Sequence, residues 1–300
     1  MTRPVRNLIA AGRHRRLAWF GVSASADHWD ANWSAQDIAR AIEGARTDER
    51  FLPLMDRHAQ RGALVLEAGC GLGQWVTVLR ERGYRAIGID YVFEALRTST
   101  RHSGRNGILA RADVRKLPFA DGTFDAITSF GVVEHFWGGP EPLIADMVRV
   151  LRPGGTMFLS VPYFSPLRKL RTWKVRGGTI EATVPEPPAF YQFAFEKKEL
   201  HEKIRAAGLT VIETVPTSPV KGLKDEVPLF SRLRARVNAT EAATPASAAP
   251  AAGTKTRGRK PLSRRLAGSL KSALQRVVYW RPVSAFAGHM IMVVCRKGEA

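Results

Sequence analysis

The chain has 300 residues, 45% of them hydrophobic, and a formal net charge of +19. That length holds one large domain with additions or two small ones, and no apolar run reaches the roughly 20 residues that a membrane-crossing helix needs. Only two cysteines occur, Cys70 and Cys295, which leaves no disulfide or zinc framework and makes a reducing, cytoplasmic setting the expectation, with no metal site.

In chain order, residues 1–60 read as an N-terminal helical cap or lid, with Trp19, Phe20, Trp29 and Trp33 available to cover a site. The basic start, with its short interrupted apolar stretches, does not read as a secretory signal. ALVLEAG (63–69) is strand-like, QWVTVLRERG (74–83) helical, RAIGID (85–90) strand-like and FEALRTST (93–100) helical. GILARAD (107–113) and FDAITSFG (124–131) are strands, and EPLIADMVRVL (141–151) is a helix stopped by Pro153-Gly154-Gly155. GTMFLSVP (155–162) is a strand, EKKELHEKIRAAG (196–208) an amphipathic helix, and LTVIETVP (209–216) and HMIMVVCRK (289–297) close the series. Apolar strands alternating with helices predict an α/β fold. The expected form is a Rossmann-like, seven-stranded, mostly parallel sheet with helices on both faces. In such sheets ligands lie beyond the carboxyl ends of the strands.

The division expected is a cap at 1–60, a ligand-binding domain at 61–216 completed by 285–300, and an insertion at 217–284. Within the insertion, the Ala-, Pro- and Thr-rich stretch at 238–256 reads as a disordered linker and 262–281 as a basic amphipathic helix with a leucine stripe. Three segments, 1–16, 165–178 and 252–281, carry five, five and nine Lys or Arg with no acid, and together account for the whole net charge. A neutral core with basic appendages suits an enzyme that meets an anionic surface or substrate.

The chemistry concentrates in VLEAGCGLG, residues 65–73. Its glycines are spaced G-x-G-x-G. A dinucleotide fingerprint would need a glycine at Gln74 or Val76, and a phosphate loop would need Lys-Ser or Lys-Thr after the glycines. Glu67 at the mouth would repel phosphate, so a cationic or hydroxyl-rich ligand fits better.

VLEAGCGLG, GID ending on Asp90, RADVRKLPFADGTFDAITSFGVVEHF and RVLRPGG, in that order and spacing, resemble the successive motifs of the class I S-adenosylmethionine-dependent methyltransferases. The likeness is greatest to the group that includes quinone and small-molecule methyltransferases, and it covers residues 61–216 and the final strand. The resemblance implies S-adenosylmethionine as cofactor. It implies that Gly69, Gly71 and Gly73 admit the ligand to the backbone, that Glu67 helps hold the methionine end, and that Asp90 accepts from the ribose hydroxyls. It also implies that Asp113 accepts from the adenine amino group, that Val114 and Leu117 touch the ring, and that Phe130 and Gly131 border the sulfonium. Glu134 and His135 in VVEHF are the candidate bases, with an architectural role for the pair as the alternative. Tyr163 and Tyr191 are candidate acceptor contacts.

The acceptor is expected to be a small molecule or a lipid- or sugar-linked group. PYFSPLRKLRTWKVRGG (162–178) suggests an anionic one. The helix at 262–281 suggests peripheral association with an anionic membrane. The alternative is a nucleic-acid methyltransferase or binder, prompted by RGRK (257–260) and a pI near 10.7. Against it stands the lack of an N-P-P-Y-like tetrad or a recognised RNA-binding module.

Overall fold

The computed structural model describes residues 5–11, 14–103, 108–172, 186–187, 189–230 and 277–299. The chain divides into a larger unit, residues 1–164, 172–217 and 290–300, and a smaller one, residues 165–171 and 218–289.

The larger unit is built on a seven-stranded sheet. In chain order its strands are β3 (Leu64–Ala68), β4 (Arg85–Asp90), β5 (Ile108–Arg111), β6 (Phe124–Phe130), β7 (Leu151–Pro162), β9 (Leu209–Thr217) and β10 (Met290–Lys297). Their spatial order is β5-β4-β3-β6-β7-β10-β9. The first five are parallel, and β10 runs antiparallel between β7 and β9. The expected Rossmann-like α/β sheet is present.

Successive residues of the central strands face opposite sides, and each side has its own core. Leu66, Ile127, Leu159 and Val293 pack with Ile144 and Met147 of α6 (Glu141–Val150) and with Leu200 and Ile204 of α8 (Lys197–Ala206). Val65, Ala126, Phe158 and Val294 pack with α2 (Ile38–Arg46), α3 (Phe51–His58) and α4 (Gln74–Glu81) through Ile42, Phe51, Met55 and Val76. Burial on both faces explains why these strands read as continuous apolar runs. The helix α5 (Phe93–Ser103) follows β4. One boundary moves: β7 begins at Leu151 rather than after Pro153-Gly154-Gly155, and its pairing with β6 shifts register there.

The N-terminal segment departs from the helical cap expected. Helices occupy α1 (Ala26–Ser34), α2 and α3, but β1 (Val5–Ala11) and β2 (His14–Phe20) form an antiparallel hairpin. The hairpin is extended by β8 (Phe190–Ala194) into a separate three-stranded sheet. The reason is tertiary. Arg16 of β2 is buried, its Nε donates to Glu199 of α8 at 2.7 Å, and its guanidinium lies 5.0 and 4.9 Å from the ring centres of Phe193 and Phe195. A charge in a strand is tolerated inside when it is paired in this way.

The smaller unit holds most of α7 (Pro166–Thr172), with α9 (Pro219–Glu226) and α10 (Arg281–Ala287). Arg168, 1% exposed, donates from Nε to Glu226 at 3.3 Å and from a terminal nitrogen to the carbonyl of His289 at 2.9 Å. Linker 238–256 lies outside the described residues, as does all of the 262–281 helix before Val277. No helix among the described residues is long and apolar enough to cross a membrane.

Candidate cofactor site

A cavity of about 660 Å³ opens at the carboxyl ends of β5, β4, β3 and β6 in the larger unit. Pockets of this size typically hold small ligands. After β3 the chain turns through Gly69, Gly71 and Gly73 at φ of +82°, +51° and +66°, and Gly73 caps α4. Residues with a side chain rarely adopt such angles.

The glycines serve more than one purpose. Gly69 lines the cavity, and a Cβ there would come within 2.5 Å of Val132. Gly71 and Gly73 are not among the residues that line it. A Cβ on Gly71 would lie 2.7 Å from the ring of Trp33, and one on Gly73 3.0 Å from the Ser99 hydroxyl. Their smallness lets the protein pack on the turn.

Two buried carboxyl groups frame the turn. Glu67 accepts from the Val76 N–H at 3.1 Å, and burial, with a smaller push from the Asp90 charge, lifts its pKa well above the usual range. Asp90 accepts from the N–H of Gly71 at 2.8 Å and of Val92 at 3.0 Å. Burial raises its pKa despite those bonds. Both line the cavity, as do Val114, Phe130 and Gly131, while Leu117 is buried in the core. Asp113 also lines it but is only half-buried, and Arg115 grips it at 2.6 Å, drawing its carboxyl below the usual range. Any adenine contact there competes with that pair.

The remaining wall is aromatic. Trp29 and Trp33 of α1 stack at 5.8 Å between ring centres, and Trp75, Phe136 and Trp137 line the same cavity. Trp19 lies instead in a core with the small sheet, and Phe20 packs on Phe190 and Trp137. His135, in the 3-10 turn Val133–His135, donates from Nδ1 to the Tyr191 carbonyl at 2.6 Å. A carbonyl only accepts, so the proton sits on Nδ1 and Nε2 remains an acceptor. Burial among the rings of Trp29 and Tyr191 pushes the imidazole down to about 4, so it is neutral at physiological pH.

Glu134 is 1% exposed and does not line the cavity. Its carboxyl accepts from the backbone N–H groups of Glu134 and Val132, and burial pushes it up to about 8. These bonds brace the turn. Tyr163 and Tyr191 do not line the cavity either, and Tyr191 acts through its carbonyl.

Reasoning from sequence missed Gln74, whose Oε1 is buried in the cavity wall without a hydrogen-bond partner among the described residues. A buried acceptor left open awaits a donor. Its signal was a polar residue opening a helix directly behind the glycines. Trp137 and Glu186 also line the cavity, and no local pattern marked them. Among the described residues no group of three or more His, Cys, Asp or Glu could hold a metal ion.

Residues 66–159 match the family described as a methyltransferase domain. A chain of Mycolicibacterium smegmatis described as a "probable S-adenosylmethionine-dependent methyltransferase" is 30% identical over 171 residues, 56% of this chain and 60% of that one. The demethylmenaquinone methyltransferase of Thermobifida fusca is 32% identical over 168 residues, 50% of this chain and 70% of that one. The chain belongs to the class I S-adenosylmethionine-dependent methyltransferases. It spans less than two thirds of the first of these relatives. The methyltransferase solved with the Trm112 activator of Haloferax volcanii shares the fold of this family member. Its TM-score is 0.53 at 17% identity, over 93% of this chain and 99% of that one.

S-adenosylmethionine is the family's cofactor, and the residues present fit it. Two acidic side chains suit its ammonium and ribose hydroxyls, the Gln74 acceptor is unpaired, and the left-handed glycine turn brings backbone to the cavity.

Proposed function

We propose that the chain methylates a small, planar, hydroxyl-bearing acceptor of aromatic or quinol type. The observation that carries this reading is one cavity with carboxyl groups at the glycine turn and a wall of Trp29, Trp33, Phe136 and Trp137 beside the unprotonated Nε2 of His135. When bound, S-adenosylmethionine supplies a methyl group on a sulfonium with an excellent leaving group. The chain's own part is binding, orientation and exclusion of water. Glu67, Asp90 and Gln74 would hold the cofactor, and Phe130 and Gly131 would border its reactive end. The rings take the flat faces of the acceptor. The acceptor's hydroxyl donates to His135 Nε2, which orients its oxygen. As the oxygen–methyl bond forms and the methyl–sulfur bond breaks, the hydroxyl proton passes through Nε2 to solvent, because a ring with so low a pKa does not keep it at neutral pH. A relative from Xanthomonas campestris named as a ubiquinone biosynthesis O-methyltransferase, 32% identical over 140 residues, supports the acceptor class.

Among the described lining residues the one Lys or Arg is Arg115, already paired with Asp113. An anionic acceptor would have to find its cations elsewhere. The test is product formation with a panel of quinols and phenols against phosphorylated and lipid-linked sugars. Turnover of the second set alone would overturn the reading.

A second reading concerns where the acceptor is met. Val277, Tyr279 and Trp280 are 60%, 46% and 63% exposed and are followed by Arg281. Exposed aromatics beside basic residues favour an anionic membrane surface, which supports peripheral docking of the smaller unit.

A further inference from the structure

At the other end of the seven-stranded sheet lies a second hollow, of about 390 Å³. It is formed at the amino ends of β3, β6 and β7 and the carboxyl end of β10, four neighbouring strands. Strand β6 separates it from the cofactor cavity, and its seven residues span about 20 Å at roughly 3.3 Å each.

Three arginines line the hollow: Arg61 before β3, Arg152 in β7 and Arg296 in β10. Arg296 stands opposite Thr156 in the β7–β10 ladder, so the two side chains share one face. The Thr156 hydroxyl donates to the His58 carbonyl at 3.0 Å, which fixes its orientation. Asp125 is the one acid in the lining, and it is fully engaged. One oxygen takes Arg152 Nε at 2.5 Å, and the other accepts from the Leu64 N–H at 2.7 Å. His58 is paired with Glu213 at 3.2 Å. Beyond the lining, Glu213 is thus held by His58, and the side chain of Glu299 comes close to Gly154. Within the described residues no hydrogen bond or ion pair occupies the guanidinium of Arg61 or Arg296. Within the lining itself, three arginines against one aspartate leave two positive charges in excess, with Glu299 at the edge beside Gly154.

We propose that this hollow binds a small phosphate dianion, either inorganic phosphate or a phosphate monoester. Two unmatched charges complement a dianion, and guanidinium forks from three separate segments around one hollow suit the several oxygens of a tetrahedral phosphate. A monocarboxylate would leave one charge unbalanced. The separation from the cofactor cavity makes this an independent site and not the phosphate end of an acceptor lying there. The ligand would act as an effector or stabiliser of the fold.

The test is thermal melting of the full chain against inorganic phosphate, with ionic strength held constant by chloride. A second arm with glycerol phosphate separates the free ion from a phosphate ester. The parent should show a saturable rise in melting temperature. In Arg61→Gln/Arg296→Gln the half-point should move at least about fivefold higher. S-adenosylmethionine binding, measured in parallel, should not change. Each single variant replaces an exposed side chain and provides the reading if the double variant does not fold. A shift in the parent no larger than chloride produces would overturn the proposal, as would equal responses in parent and variants.

Discussion

Asp90 has two demands on one carboxylate. It ties the glycine turn through Gly71 and Val92 and faces the cavity as a hydrogen-bond acceptor. Asp90→Ala should therefore weaken S-adenosylmethionine at least about tenfold, some 1.4 kcal/mol, by calorimetry. It should also lower the melting temperature of the free protein. Asp90→Asn, which keeps one acceptor oxygen, should lose less of both. His135 gives a pH prediction. Its folded pKa, about 4, lies below its ordinary value of 6.5. The stability of the neutral ring is thus present above pH 6.5 and lost as pH falls towards 4. Glutamine does not titrate, so any stability advantage of the parent over His135→Gln should narrow over that acid interval. An advantage that stays constant between neutral pH and the acid end would show that the imidazole is not held neutral by burial. Asp90 was legible in the sequence because it ends a strand that follows a G-x-G-x-G turn. The Tyr191 carbonyl that fixes the His135 tautomer was not, since it lies 56 positions away on a strand with no turn signal.

Among elements, the central strands were readable because burial on both faces leaves unbroken apolar runs, and the helices because their buried positions recur at helical spacing. The β1–β2 hairpin was hidden by its own composition. HRRLAWF begins with basic residues, and what makes Arg16 tolerable inside is Glu199, 183 positions on. Removing one partner leaves a buried charge. Arg16→Met should therefore cost about 3–5 kcal/mol in urea unfolding. Arg16→Met/Glu199→Leu should recover most of that loss. A double variant as unstable as the single would mean that the pair does not hold the small sheet. Gly71 tests the turn, because alanine there meets both a φ of +51° and the Trp33 ring. Gly71→Ala should lower stability by about 1–3 kcal/mol, and a Trp33→Ala background should relieve the steric part but not the backbone part.

For the whole molecule, the charge distribution was legible as basic appendages on a neutral core, but the use of that charge was not. The cofactor cavity contains more acid than base, and much of the positive charge falls on residues outside the described ones. Docking of the smaller unit predicts that the full chain pellets with anionic vesicles and a 238–284 deletion does not. Equal pelleting of the two would remove that reading. Whether the cavity behind the glycine turn takes S-adenosylmethionine is decided by calorimetric titration of the parent chain with it. Saturable one-to-one binding that weakens in Asp90→Ala is the expected result. No binding heat at millimolar ligand over a range of temperatures, or an affinity unchanged by Asp90→Ala, would contradict it.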